Sequence, residues 1–229
     1  MEVKENLTEK KPFYKKSKFI GILALVIIGV SLTWYLISQH KSQQAAAEEE
    51  RENREEEYIE LLSNTTDAIN QVNESSRQII YMYSDVWNVT IENDLYVSAI
   101  AEYLGVEESV VIDNVPTDKI RVNPRGEYIG RGDFNAALET VRNVLLSEGI
   151  YDSMENAQTT IEDNVKELKN PPEKYRELHE DFEDYYSNHS IYVSLATSPT
   201  GSYLTYTRDT SNLLTELGGQ YSSLELELP

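Results

Sequence analysis

The sequence predicts an all-α protein, with a single N-terminal transmembrane helix followed by an elongated antiparallel helical bundle. One observation is a stretch of twenty residues without a charge. A second is the recurrence of apolar residues at spacings of three and four over much of the remaining chain. A third is the placement of Gly and Pro between those stretches, which is typical of short loops joining helices. The predicted exception is a small β-hairpin at 119–130.

The uncharged stretch occupies residues 19–38, FIGILALVIIGVSLTWYLIS. Twenty helical residues span about 30 Å, which matches the hydrocarbon core of a bilayer. Trp34 and Tyr35 lie near one end, where aromatic rings favour the membrane interface. We therefore expect an integral, single-pass membrane protein.

The orientation follows from the flanking charges. Six Lys residues precede the span within 1–18, whereas only His40 and Lys41 follow it closely. The positive-inside bias then predicts a cytoplasmic basic tail at 1–18 and an extracytoplasmic part at 42–229. That outer part has 13 basic and 37 acidic residues, so its net charge is near −24.

A cleaved signal peptide is the competing interpretation, because Ala45-Ala46-Ala47 resembles a cleavage site. The apolar run is longer than the usual signal core of about 7–15 residues, and polar residues separate it from the alanines. We favour an uncleaved anchor, and the sequence leaves open whether cleavage after Ala47 ever occurs.

The segment 39–57 is rich in good helix formers but has no apolar stripe, which predicts a solvated acidic helical stalk. A bundle domain is then expected at 58–220, with a C-terminal tail at 221–229. Its first helix has an apolar stripe nearly 29 residues long that either packs into the bundle or pairs with a second copy as a coiled coil. The stripe consists of Ile59, Leu62, Thr66, Ile69, Val72, Ser76, Ile79, Tyr83 and Val86.

A second helical pattern continues from Trp87 to Gly105, after which the insertion 105–132 departs from helical spacing. VVIDNV is a short apolar run before Pro116. Two β-leaning stretches, around 120–122 and 128–129, flank a Pro and a Gly. This arrangement predicts the hairpin at 119–130.

Four helical patterns follow the insertion. The first has Asp133 as its expected N-cap, and the second has an expected capping box at 152–155. Pro171-Pro172 separates the second pattern from the third, and SPTGS at 198–202 separates the third from the fourth. The fourth is expected to end at Gly218-Gly219. The expected inward residues are Phe134, Leu138, Val141 and Leu145, then Met154, Ala157, Ile161, Val165 and Leu168, then Leu178, Phe182, Tyr185, His189, Val193 and Ala196, and finally Tyr203, Tyr206, Leu213, Leu214 and Leu217.

Several motifs occur in a characteristic order, namely Trp87, DFNAAL at 133–138, KNPPEKY at 169–175 and LATSPTGSY at 195–203. In this respect the chain resembles uncharacterised membrane-anchored or lipidated helical surface proteins of Gram-positive bacteria, over most of 58–217. It departs from that group by having no Cys to bear a lipid and by residues 95–131, which look like an insertion. The resemblance implies location and helical fold, and it implies no activity.

Composition excludes several function classes. A net charge of −20 argues against nucleic-acid binding, which depends on cationic side chains meeting phosphates. The absence of Cys excludes disulfides, thiol catalysis and Cys-ligated zinc. With three His and no H-E-x-x-H or calcium-loop pattern, the sequence predicts no metal and no cofactor.

No catalytic motif emerges either. G-x-S-x-G and phosphate-binding glycine loops are absent, and with 40 acidic residues a pair of carboxylates is uninformative. His179 and Glu183 share a helix face, which we interpret as a surface charge pair. Arg131-Gly132-Asp133 matches an adhesion tripeptide, but a short motif is a weak signal and the expected capping role already accounts for Asp133. The prediction is a protein that is not an enzyme.

Aromatic residues give the candidate interaction surface. Tyr is enriched at protein interfaces, although its helical spacing here also suits the core of a narrow bundle. The candidate surface residues are Trp87, Tyr128, Tyr185, Tyr186, Tyr203 and Tyr206. The leading hypothesis is a non-enzymatic envelope protein whose bundle binds another envelope protein or itself. The alternatives are a ligand-binding or sensory bundle that signals through a partner and, less favoured, a cell-wall hydrolase.

Overall fold

A computed structural model describes the backbone of residues 14–228 and the side chains of residues 46–228. The chain divides into two compact units, 1–54 and 55–229. In the first unit, residues 46–54 are all exposed, and Arg51 pairs with Glu48 at 3.0 Å. No helix within residues 46–228 is long and apolar enough to cross a membrane, and the predicted span at 19–38 lies outside that range.

The described residues are mostly helical, as predicted, and they add a small antiparallel sheet. The elements in chain order are α1 (Tyr14–Glu92), β1 (Leu95–Tyr96), α2 (Val97–Leu104), α3 (Glu108–Asn114), β2 (Ile120–Asn123), β3 (Gly126–Ile129), α4 (Phe134–Ser147), α5 (Ile150–Glu167), a 3₁₀ turn (Glu173–Tyr175), α6 (Arg176–Thr197) and α7 (Tyr203–Glu227).

The apolar stripe predicted on the first helix is buried at every one of its nine positions. It belongs to one hydrophobic cluster with residues from α2 and α4–α7. Of the two interpretations left open by the sequence, the structure therefore shows the intramolecular one, in which this face packs into the bundle. The predicted inward residues of α5 and α6 are likewise buried or half-buried.

The predicted hairpin is present, since β2 and β3 pair from Ile120↔Ile129 to Asn123↔Gly126. The sequence analysis missed the third strand. β1 pairs with β3 through Leu95↔Ile129 and Tyr96↔Tyr128, giving the order β1-β3-β2. One helical pattern was expected from Trp87 to Gly105, but the strand interrupts it at 93–96. The remaining part is helix α2, and it is capped by Gly105, whose φ of +68° suits glycine.

The insertion was expected to depart from helical spacing, but its apolar run VVIDNV lies largely within helix α3. Val111 packs into the core, and Pro116 follows two residues after the helix ends. A short apolar run is compatible with strand or buried helix, and burial beside α2 and α4 decided between them here.

Both predicted caps need correction. Asp133 stands before α4, but its side chain accepts no cap hydrogen bond and pairs instead with Arg121 at 3.1 Å. Asp152 lies inside the first turn of α5, which begins earlier, after Gly149 at φ +70°. Phe134, expected to point inward, is 37% exposed.

The end of the chain also differs from its prediction. α7 passes through Gly218 and Gly219 and continues to Glu227, so residues expected to form a tail are helical. Two helical glycines cost about 1 kcal/mol each relative to alanine. Buried Leu217 and Leu224 and the hydrogen bond from Tyr221 to Asp67 oppose that cost.

Candidate functional site

The candidate aromatic surface is largely inside the protein. Trp87, Tyr185 and Tyr206 are buried, which corrects the expectation that they offer a free interaction surface. Tyr128, Tyr186 and Tyr203 are half-buried. The sequence also suggested that these rings complete the core of a narrow bundle. That alternative applies to Trp87, Tyr185 and Tyr206.

Trp87 is the centre of an aromatic cluster. Its ring lies 6.2 Å from Phe134, 6.1 Å from Tyr203 and 5.9 Å from Tyr206, measured between centroids. Such pairs add to stability beyond the area they bury. The folded bundle therefore brings together three motifs that are far apart in the sequence, namely those that contain Trp87, Phe134 and Tyr203.

Phenol hydroxyls line the inner side of this cluster. Tyr83 and Tyr151 share a hydrogen bond of 2.7 Å, and Tyr151 donates weakly to the carbonyl oxygen of Ala196 at 3.5 Å. Tyr206 donates to the carbonyl oxygen of Leu195 at 3.2 Å. Burial raises the pKa of all three phenols, so they are neutral hydrogen-bonding groups rather than bases at neutral pH.

His189 is the centre of a polar network in the core. Its Nδ1 lies 2.7 Å from Oδ1 of Asn73, and its Nε2 lies 2.8 Å from Oε1 of Gln158. Asn73 also donates to the hydroxyl of Tyr185 at 3.3 Å. Burial lowers the pKa of His189 to about 4, so the ring is neutral at pH 7 and has one N–H. One of the two amides must therefore turn its NH₂ group towards the ring.

This network confirms that His189 faces the core and is hydrogen-bonded. The sequence analysis missed Asn73 and Gln158. Asn73 follows Val72 of the apolar stripe, and a polar residue beside a stripe is a weak signal of a buried partner. Gln158 gave no signal, because its partner is 31 residues away in the chain.

The predicted pair of His179 and Glu183 lies at the other end of the bundle. The two side chains approach at 3.4 Å, but only Glu183 is exposed, since His179 is 7% exposed. His179 Nδ1 is also 2.9 Å from the hydroxyl of Tyr58, whose ring stacks on Tyr175. Burial, with a smaller contribution from Glu183, raises the pKa of Tyr58 to about 12, which makes this phenol a poor nucleophile or base.

The Arg-Gly-Asp tripeptide is held against the end of α1. The backbone N–H of Arg131 donates to Asp94 Oδ1 at 3.0 Å, and the N–H of Gly132 donates to the carbonyl of Thr90 at 2.8 Å. Asp133 is paired with Arg121. The segment therefore has a structural role in fixing the sheet to the helix. No group of acidic or His side chains with metal-binding geometry occurs within residues 46–228.

Open cavities of the described bundle flank α5 on two sides. On one side, cavities of about 410 and 320 Å³ lie between α1 and α5 and share Ser75, Ser153 and Met154. We call this continuous feature the α1–α5 groove. On the other side, a cleft of about 480 Å³ is bounded by α4, α5 and α6.

The α1–α5 groove has an apolar floor and a border of small polar residues. α1 contributes Ala68, Gln71, Val72, Ser75, Gln78, Ile79 and Met82, and α5 contributes Ile150, Ser153, Met154, Ala157 and Thr160. Gly105 and Val106, from the insertion, close one end together with residues of α4. The α1 positions from 68 to 82 extend over about 21 Å of helix.

No protein-family model, no curated protein and no solved structure matches this chain. The resemblance to Gram-positive surface proteins therefore remains a prediction based on the quoted motifs. Function has to be argued from the geometry of the described residues.

Proposed function

We propose that the chain is a single-pass envelope protein whose extracytoplasmic bundle is a non-enzymatic interaction module that binds a helix of another envelope protein. The observation that carries this proposal is the α1–α5 groove, which runs continuously between two helices. The proposed membrane anchor is the uncharged sequence at 19–38, and the orientation rests on the flanking Lys residues.

The dimensions of the groove suit a helix of about four turns. Recognition of an amphipathic helix in a groove needs apolar contacts at successive turns of the bound helix. Met82 and Met154 supply adaptable apolar surface. Ser75, Ser153 and Ala157 are small, so a partner backbone can approach at a normal interhelical distance of about 8–10 Å.

The charge of the chain defines the partner further. The part beyond residue 41 has a net charge near −24, and Glu148 lines one end of the groove. A partner helix with Lys or Arg beside its apolar stripe would be attracted, whereas an acidic helix would be repelled. The insertion contributes Gly105 and Val106, so it belongs to the proposed recognition surface.

The test is site-specific photo-crosslinking in cells. A photoreactive residue at Ser75 or Ser153 should form an adduct with another envelope protein, and the same residue at Ser223, exposed on α7, is the matched control. Filling the groove with Ala157→Trp should remove the Ser75 adduct while the protein stays folded. Equal adducts from Ser223, or adducts only with a second copy of this chain, would contradict the proposal.

A further inference from the structure

The cleft on the other side of α5 has a different character from the groove. Its cationic residue is Arg142 of α4, and its acidic residues are Glu155 and Glu162 of α5. Between them lie amide and hydroxyl groups and an apolar wall formed by Leu146, Met154 and Val193. A site with apolar walls and a few convergent polar groups is typical of small-molecule recognition.

Arg142 supplies the positive charge of the cleft. It is exposed and makes no ion pair within residues 46–228, although acidic residues outnumber basic ones there nearly threefold. Its guanidinium lies close enough to Tyr83 and Tyr151 to lower the pKa of both phenols, in opposition to burial. Arg142 and Tyr151 also line the same cleft, so the positive charge and the phenol hydroxyl border one space.

The Tyr151 hydroxyl can serve the same ligand. It shares a 2.7 Å hydrogen bond with the Tyr83 hydroxyl, and its contact with the carbonyl oxygen of Ala196, at 3.5 Å, is weak. A carboxylate at this end would accept a hydrogen bond from the Tyr151 hydroxyl together with those from the N–H groups of Arg142. Gln158 and Thr197 also line the cleft and offer polar groups to a peptide backbone.

The opposite charge lies further along the helix. Glu155 is about one turn beyond Tyr151, and Glu162 is about two turns further, so acidic groups occur roughly 6–17 Å along α5 from the Tyr151 end. A peptide of two or three residues spans about 7–11 Å when extended. Such a peptide would place its ammonium group near Glu155 when its own carboxylate is at the Tyr151 end, and Glu162 would add a more distant negative charge.

We propose that this cleft binds a short peptide through its free carboxylate at Arg142 and Tyr151 and its free amino group at Glu155, with Glu162 adding negative charge beyond it. A zwitterion suits an acidic protein, because it enters without the long-range repulsion that a simple anion meets. A cavity of about 480 Å³ is within the usual range for small ligands. This cleft shares Met154 with the groove, but its charged residues Arg142, Glu155 and Glu162 do not line the groove, so its ligand recognition does not depend on the proposed helix binding.

The test uses the full-length protein in lipid nanodiscs and calorimetric titration with trialanine, its C-terminal amide and its N-acetyl form. Trialanine should bind, and amidation should weaken binding at least about tenfold because the charge-assisted hydrogen bonds to Arg142 are lost. N-acetylation should weaken it by a smaller factor, about threefold or more, because the carboxylates are solvent-exposed.

Variants assign the two ends of the cleft. Arg142→Gln should weaken binding of trialanine about tenfold but leave the weak binding of its amide unchanged. Glu155→Gln combined with Glu162→Gln should affect trialanine and not its N-acetyl form. Arg125→Gln, which alters an exposed arginine on the hairpin, is the control and should have no effect.

Several results would overturn the proposal. One is that the folded protein does not bind trialanine at concentrations up to about 10 mM. Another is equal affinity for trialanine and its amide. A third is an equal loss of affinity for trialanine in Arg125→Gln and Arg142→Gln. Loss of partner crosslinking with intact trialanine binding would refute helix capture alone, so the two proposals fail separately.

Discussion

The two faces of α1 differ in how completely they are packed. One face is closed, because Asn73 donates to Tyr185 of α6, Tyr83 shares a hydrogen bond with Tyr151 of α5, and the Trp87 ring packs against Tyr206 of α7. The face towards α5 holds Ser75 and Met82, and it leaves the groove open. Side-chain size along one helix therefore decides where the bundle is closed and where it leaves a groove open.

Trp87→Ala gives the largest expected effect on this comparison. Removing a buried ring that contacts three aromatic neighbours should lower the free energy of unfolding by about 3–5 kcal/mol. Met82→Ala, on the groove face of the same helix, should cost less than about 1 kcal/mol because the side chain is only half-buried. Urea unfolding followed by far-UV circular dichroism measures both, and similar losses would show that the groove face is packed as tightly as the other.

The pH dependence of stability tests the closed face. His189 has a folded pKa of about 4, below its ordinary value of 6.5, so the unfolded state binds the proton more readily. Stability should be fully present above pH 6.5 and should fall as the pH drops from 6.5 towards 4, by about 3 kcal/mol in total. Urea unfolding at a series of pH values measures this loss.

His189→Gln is the matched control for the pH experiment. Glutamine keeps hydrogen-bonding capacity but does not titrate, so the difference between the two proteins removes the contribution of the carboxylates. If the free energy of unfolding of the variant falls as much between pH 6.5 and pH 4 as that of the original protein, His189 is not the buried titrating group.

Two neighbouring serines of α1 give the smallest expected effects in the comparison between its closed face and its groove face. Ser76 is fully buried, whereas Ser75 is exposed in the groove. Ser76→Leu should destabilise the bundle by about 1–3 kcal/mol through overpacking. Ser75→Leu should change stability by less than about 0.5 kcal/mol. Equal effects in thermal unfolding would contradict the assignment of one residue to each face.

Much of the helical architecture could be predicted because its signals are local. The stripe from Ile59 to Val86 predicted which face of α1 is buried, and the inward residues of α6 followed in the same way. The hairpin was predicted from the Pro and Gly between Val122 and Tyr128. Such spacings depend on residues only a few positions apart.

Other features could not be predicted because they depend on packing between distant segments. β1 exists because Leu95 and Tyr96 meet β3, and α7 continues past two glycines because Leu224 is buried. Tertiary contacts of this kind override local propensity. The burial of Trp87, Tyr185 and Tyr206 was likewise undetermined, since tyrosine suits both an interface and a thin core.

The sequence by itself determined the helical class, the faces of the main helices and the hairpin, because periodicity and turn residues act over one or two turns of chain. Only the tertiary structure decided that His189 meets Asn73 and Gln158, that Asp133 pairs with Arg121, and that α5 is flanked by open clefts. The physical reason is separation along the chain. Contacts such as that between Asn73 and His189 join residues 116 positions apart, and only the shared packing of whole helices brings them together.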